Sequence, residues 1–233
     1  MREFLGKTGT FDDADDDAGP ITGAEETVAF LLSLRAKGIR DTAVLRAMEV
    51  VPRDLFAPRR FADLARADVS LPLPCGQTMT APGIIAAMLT ALAVQRHHRV
   101  LEIGTGSGYL SAVLGNLGRE VISIERFRTL ALAAAERVAS LGMPHVRIMP
   151  GDGLGIGNLG GPFDRVILNG LVASVPAALT STLPPGGRLV AARVVDGVSR
   201  IVMIERGADG ELAETPLQPA RMPPLVRGLA RAL

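Results

Sequence analysis

The sequence predicts an α/β fold: a doubly wound, mostly parallel sheet of the seven-stranded type, preceded by a helical N-terminal extension. Three observations predict it. Short apolar runs alternate with segments of helical periodicity from residue 99 to about 183, as parallel strands joined by crossover helices do. The first run, Val100-Leu101-Glu102-Ile103, breaks into Gly104-Thr105-Gly106-Ser107-Gly108 ahead of a helix-compatible stretch. Glycine tolerates the dihedrals of such a turn and lets a ligand approach the backbone at a helix N-terminus. The next two runs end in acids, Val121 to Glu125 and Val146 to Gly151-Asp152-Gly153. In a doubly wound sheet the C-terminal strand ends form the ligand crevice, where Gly104, Glu125 and Asp152 all fall.

The elements follow in order. Residues 1–22 hold Asp12-Asp13-Ala14-Asp15-Asp16-Asp17 and few apolar anchors, which reads as a flexible acidic tail. Residues 23–98 form the extension. Val28, Leu31, Leu32 and Leu34 recur at helical spacing, with Gly38 as a stop. Asp41 is placed to cap a second helix, Thr42 to Val50, with Val44, Leu45 and Met48 inward. Phe56, Phe61 and Leu64 suggest short packed helices. Leu71 to Pro82 has too much Pro and Gly for a regular element, yet is apolar for a solvated loop. A helix follows from Gly83 to Val94.

Residues 99–233 form the core. Strands are expected near 99–104, 121–125, 146–150 and 164–168, and helices near 108–117, 127–141 and 174–183. Pro184-Pro185-Gly186-Gly187 turns into strand 188–195, and Asp196-Gly197 makes a hairpin into strand 199–206. A short apolar segment, Pro224-Leu225-Val226, lies near the C-terminus.

Composition excludes several classes. The 233 residues are 48% hydrophobic, enough for one sizeable core. The net charge of +1 provides no global field for nucleic acid or an anionic membrane. No Trp and one Tyr leave little to stack bases on, so no nucleic-acid partner is expected. The single cysteine, Cys75, excludes an intrachain disulfide and a multi-cysteine zinc site; it reads as a small packed residue. His97 and His98 read as solvated, and no metal site is visible. The N-terminus lacks a signal-peptide core and the apolar run Ile84 to Val94 is too short for a bilayer, so a cytoplasmic protein is expected. The sequence does not set the oligomeric state; a monomer is favoured.

The turn spells acid-x-G-x-G-x-G with Glu102 as the acid, not the dinucleotide G-x-G-x-x-G. Glu125, about twenty residues on, stands where a nucleotide-binding unit places a carboxylate for ribose hydroxyls. The acid-x-G-x-G-x-G pattern resembles the first motif of S-adenosylmethionine (SAM) methyltransferases, whose Rossmann-like fold it implies. A longer series resembles the protein-L-isoaspartate O-methyltransferase family. It comprises Val51-Pro52-Arg53-x-x-Phe56, then Gly76-Gln77-Thr78-Met79-Thr80-Ala81-Pro82, then Leu101 to Tyr109. Ser123-Ile124-Glu125-Arg126, Gly151-Asp152-Gly153, Phe163-Asp164-Arg165 and Pro185-Gly186-Gly187-Arg188-Leu189 extend it, covering residues 25 to 227.

The resemblance implies methyl transfer from SAM, with S-adenosylhomocysteine as product, to the carboxylate of L-isoaspartyl residues in damaged proteins. It implies a cofactor set of Glu102, Gly104, Thr105, Gly106, Ser107, Gly108, Glu125, Arg126, Asp152 and Gly153. Asp152 would reach the adenine amino group. Thr80 would be the catalytic hydroxyl, orienting the acceptor carboxylate, and Gln77, Thr78, Met79, Asn169, Met222 and Pro223 would hold the substrate. Departures from the family pattern lie on the substrate side. Thr80 replaces a serine, Gly83 an aromatic, Asn169-Gly170-Leu171 a Thr-Ala-Ala, and Met222-Pro223 a Phe-Val. The alternatives are a SAM-dependent O-methyltransferase for another carboxylate or hydroxyl, and a SAM-binding relative without catalysis. A base N-methyltransferase is disfavoured, because no Asn-Pro-Pro-aromatic motif follows the fourth strand.

Overall fold

The computed structural model describes residues 23–155 and 160–230; the expected acidic tail lies outside the described residues. Helices α1 (Gly23–Ala36) and α2 (Thr42–Val50) open it, followed by a 3-10 turn at Arg53–Leu55 and a 3-10 stretch at Arg59–Leu64 that is kinked at Phe61. Asp41 caps α2 as predicted, its Oδ1 accepting the N–H groups of Ala43 (2.9 Å) and Val44 (3.1 Å). The inner face of α1 differs from the expected one: Phe30 and Leu34 are buried, while Val28 and Leu32 are exposed. Only part of an apolar stripe can turn inward when α1 meets a single neighbouring layer.

The Pro-rich stretch holds more structure than its composition suggests. Strand β1 (Leu71–Pro72) pairs antiparallel with β2 (Thr78–Met79) around a 3-10 turn at Pro74–Gly76. Leu71, Leu73 and Met79 are buried beneath it, which explains its apolar character. Cys75 lies half-buried on the turn at φ +61°, its Sγ 3.5 Å from Thr129 Oγ1, rather than packed in the core.

Helix α3 (Pro82–Leu92) leads to β3 (Arg99–Ile103), α4 (Tyr109–Leu117), β4 (Glu120–Glu125), α5 (Arg128–Ser140) and β5 (Val146–Pro150). Then come β6 (Arg165–Leu171), α6 (Ala177–Thr180), β7 (Arg188–Val195), β8 (Val198–Arg206) and β9 (Leu212–Pro219). The seven strands lie in the order β5-β4-β3-β6-β7-β8-β9. The first five are parallel, and β8 and β9 are antiparallel additions at one edge. The helix expected over 174–183 shrinks to α6, because Pro176 opens it late and 3-10-like turns end it. The Asp196-Gly197 hairpin forms with both residues at positive φ, +49° and +75°.

Side chains of the central strands alternate between two cores. Val100, Ile167 and Val190 face α2, α3 and α4, while Leu101, Val166 and Leu189 face the other side. Burial on both faces is why these strands read as continuous apolar runs. His98 is buried beside β3, contrary to expectation, with its Nδ1 accepting the Gln95 N–H at 2.9 Å. No helix among the described residues is long and apolar enough to cross a membrane.

Candidate active site

The chain reverses its winding direction at β3, with β4 on one side and β6 on the other. This opens a crevice above the C-terminal ends of β3, β4 and β6. A cleft with about 680 Å³ of empty space, counted to its open mouth, lies there. Its wall includes Gly104, Gly106, Glu125, Arg126, Asp152 and Gly153, together with Gln77, Thr78, Asn169 and Pro223.

Backbone conformation explains the glycines. Gly104 has φ +91° and Gly108 φ +90°. A Cβ on Gly104 would stand 3.1 Å from Leu225 Cδ2, and one on Gly108 3.0 Å from the Ala134 Cβ. A Cβ on Gly153 would meet Ile103 at 2.6 Å, so this turn also closes on β3. Glu125 is 5% exposed. Its Oε2 accepts the Gly106 N–H at 2.9 Å and its Oε1 the Phe127 N–H at 3.0 Å. Each carboxylate oxygen has a second acceptor site, so Glu125 retains capacity for two donors from the cleft.

Asp152 is more committed than its flanking glycines suggest. Its Oδ1 accepts the Leu154 N–H at 3.1 Å and its Oδ2 the Gly228 N–H at 2.7 Å. Arg126 donates from Nε to the Gly228 carbonyl at 3.0 Å. The C-terminal segment thus crosses the cleft, pairing first with β6 through Leu171 N–H to Pro223 O and Leu225 N–H to Leu171 O, both 2.8 Å. A Cβ on Gly170 would lie 2.6 Å from Leu225 Cγ, so Gly170 admits this segment. Leu225 and Gly228 are contributors that the sequence reading did not name. For Leu225 the sequence signals were the apolar Pro224-Leu225-Val226 run and its place beside Met222-Pro223 in the family-like C-terminal segment; Gly228 had none.

Several predicted residues act from beneath the cleft. Glu102 is fully buried, and the Ser111 hydroxyl donates to its Oε2. Ser111 also reaches Ser123 at 3.3 Å, and Ser123 shares a 2.5 Å hydrogen bond with Thr105 Oγ1. This network ties β3, α4 and β4 to the glycine turn. Burial pushes the Glu102 carboxyl up to about 8; the Ser111 and Ser123 hydroxyls oppose the shift and the Glu125 charge adds to it. Burial thus favours the protonated, neutral form of Glu102 in the folded protein. Ser107 is also buried and its Oγ accepts the Tyr109 N–H at 3.3 Å. Met79 and Met222 do not line the cleft: both are packed in the core, as unbranched apolar side chains at these turns are drawn to do.

Thr80 is 4% exposed. It does not cap α3 with its side chain, Ala81 being the cap residue. Its hydroxyl donates to Asn169 Oδ1 at 2.9 Å, and Asn169 Nδ2 donates to the Gly104 carbonyl at 3.0 Å. The loop after β2, the end of β6 and the glycine turn are joined through this one amide. The replacement of an aromatic residue by Gly83 also has a physical reason. Its N–H donates to Asp68 Oδ1 at 2.6 Å, and a Cβ would lie 2.8 Å from Asp68 Oδ2.

Comparison with known proteins agrees with this architecture. Residues 25–230 match the family described as protein-L-isoaspartate(D-aspartate) O-methyltransferase. A protein-L-isoaspartate O-methyltransferase of Rhodopseudomonas palustris (strain BisA53) is 41% identical over 214 residues, 92% of this chain and 100% of the relative. One from Azorhizobium caulinodans is 43% identical, over 89% of this chain and 96% of its own length. The fold matches a Plasmodium falciparum crystal structure described as a putative protein-L-isoaspartate O-methyltransferase in complex with S-adenosyl-L-homocysteine. The TM-score is 0.76 at 21% identity, covering 86% of this chain and 98% of that one. The chain belongs to the protein-L-isoaspartate O-methyltransferase family.

Proposed function

We propose that this chain methylates the carboxylate of L-isoaspartyl residues in peptides and proteins, with SAM as methyl donor, and so initiates their repair. The observation that carries the chemistry is the wall of the cleft. Among its described residues the ionisable side chains are Glu125, Arg126 and Asp152, with no His, Lys or Cys to serve as a general base. Both carboxylates are engaged by backbone N–H groups and are assigned here to the cofactor, which favours an acceptor that needs no base, and a carboxylate is ionised at neutral pH. The isoaspartyl identity of that carboxylate follows from the family.

The residues present fit the cofactor. Glu125 has two free acceptor sites above the positive-φ glycine turn, which suits a pair of ribose hydroxyls. Asp152 reaches the same cleft with both oxygens already held, so its acceptance of an adenine amino group uses its remaining lone pairs. Two carboxylates against one guanidinium favour a cationic guest. SAM supplies an activated methyl group.

The rest is performed by the chain as alignment and exclusion of water. Gln77 and Thr78 of the hairpin loop and the Pro223–Val226 segment line two sides of the cleft. Asn169 spends one N–H on Gly104 and keeps a second for an acceptor oxygen. Thr80 turns its hydroxyl from Asn169 to the acceptor carboxylate when one binds. Pro223 has no N–H, and its carbonyl is held by Leu171, so the acceptor backbone is met there by packing.

Repair is tested by incubating an isoaspartyl peptide with the protein and SAM through repeated cycles and separating the products. The methyl ester closes to a succinimide that reopens partly to normal aspartate. Accumulation of the aspartyl peptide is expected; unchanged isoaspartyl peptide would refute the proposal.

A further inference from the structure

We infer that Arg53 is a positioning residue for methyl transfer, acting through Thr80. This rests on the function proposed above. Arg53 sits at the start of a 3-10 turn in the helical extension and is 3% exposed. Its described hydrogen-bond partners are carbonyls rather than carboxylates. Nη1 donates to Ala65 and, at 3.5 Å, to Ala67; Nη2 donates to Val69 at 3.1 Å and to Thr80 at 3.2 Å. The guanidinium also lies 5.9 Å from the ring centre of Tyr109, the residue that follows the glycine turn. A buried cation whose hydrogen-bond partners are neutral carries a large desolvation cost, which the nearby Asp68 and Asp54 charges offset only in part, and its Nε remains unpartnered. An apolar side chain would fill the same space at lower cost, so the fork of donors is the distinguishing property.

Three of the four carbonyls belong to the 65–69 loop and brace the extension. The fourth is different in kind. Strand β2 ends at Met79, so Thr80 lies beyond its pairing with β1. Its carbonyl is fixed by Arg53 Nη2, while its hydroxyl donates to Asn169 and Asn169 donates to Gly104. Before an acceptor binds, one continuous chain of hydrogen bonds therefore runs Arg53–Thr80–Asn169–Gly104. It links the extension to the glycine turn through Thr80 and Asn169, the two side chains that the proposed function assigns to the acceptor. Fixing the Thr80 carbonyl fixes the backbone from which its β-branched, χ1-restricted side chain projects. A misplacement of about 1 Å at such a group costs up to about a hundredfold in rate.

The test is a double-mutant cycle with Arg53→Lys and Thr80→Val, read with isoaspartyl peptide and labelled SAM. Arg53→Lys alone is expected to lower kcat by about tenfold or more while SAM affinity stays within about twofold. In the Thr80→Val background the same change should cost less than about twofold more. Equal losses in both backgrounds would mean that Arg53 only supports the fold, and would overturn the inference. A second readout needs no acceptor: Arg53→Lys should shift the side-chain amide resonances of Asn169. If those resonances do not move, the inference fails. If they move while wild-type protein methylates no isoaspartyl peptide, the proposed function fails and the positioning stands. Should Arg53→Lys not fold, Thr80→Val should shift the Arg53 guanidinium resonances of an otherwise unchanged protein; unmoved resonances would refute the coupling.

Discussion

Replacing Glu102 by Gln should flatten the dependence of stability on pH. The Glu102 carboxyl is fully buried under the glycine turn, where one oxygen accepts the Ser111 hydroxyl and the other has no partner. Burial raises its pKa from 4.5 to about 8. The sign follows from proton counting. Between those two values the folded protein keeps a proton that the unfolded chain has released. Stability therefore falls as pH rises through this window, by at most about 1.4 kcal/mol per pH unit. Between pH 5 and pH 7 the wild type should lose roughly 2 kcal/mol from this group. Gln keeps an oxygen for Ser111 and has nothing to titrate, so its own packing cost is a constant offset. Urea unfolding of both proteins at pH 5, 6, 7 and 8 isolates the effect, because every other group cancels in the difference. The variant should gain on the wild type steadily up to about pH 8 and no further. Parallel stability curves would refute the claim that a neutral Glu102 supports the turn.

Thr80→Ala removes the hydroxyl that meets Asn169 and, in our account, the acceptor carboxylate. A hydrogen bond to a charged group is worth about 1.5–3 kcal/mol, so transfer should slow about tenfold to a hundredfold with SAM affinity unchanged. An equal loss in calorimetric affinity would contradict this. Glu125→Ala leaves the Gly106 and Phe127 N–H groups without their carboxylate as well as removing the ribose acceptor. SAM binding should weaken by at least about tenfold, one such contact exceeding roughly 1.5 kcal/mol; unchanged affinity would remove Glu125 from the site. Gly170→Ala would put a Cβ 2.6 Å from Leu225 Cγ and 3.0 Å from the Pro223 carbonyl. The C-terminal segment should lift from β6, with about 1–3 kcal/mol lost in unfolding and a raised KM for peptide. Wild-type stability and KM would show that the segment yields freely.

The sequence was legible where the structure obeys local rules. β3, β4, β6 and β7 are buried on both faces and read as plain apolar runs, and the glycines between β3 and α4 declare the turn. β9 escaped because it is an edge strand: most of its residues are exposed, and it contains Pro216 and Pro219. Glu125 and Asp152 were readable as crevice residues because Glu125 ends β4 and Asp152 lies in the turn just after β5. The side-chain relay was not, because its members are joined only by the fold. Arg53 and Thr80 stand 27 residues apart, Thr80 and Asn169 89. Gly228 reaches Asp152 across 76 residues, so nothing near Asp152 in the chain foretold that its carboxylate would be partly occupied.

The central claim is that an ionised isoaspartyl carboxylate accepts the methyl group in this cleft. It is tested most directly with methyl-labelled SAM and two peptides, identical except for L-isoaspartyl or L-aspartyl at one position. The account predicts label in the isoaspartyl peptide alone, released as methanol by base. Label in neither peptide, with SAM binding confirmed by calorimetry, or equal label in both, would contradict it.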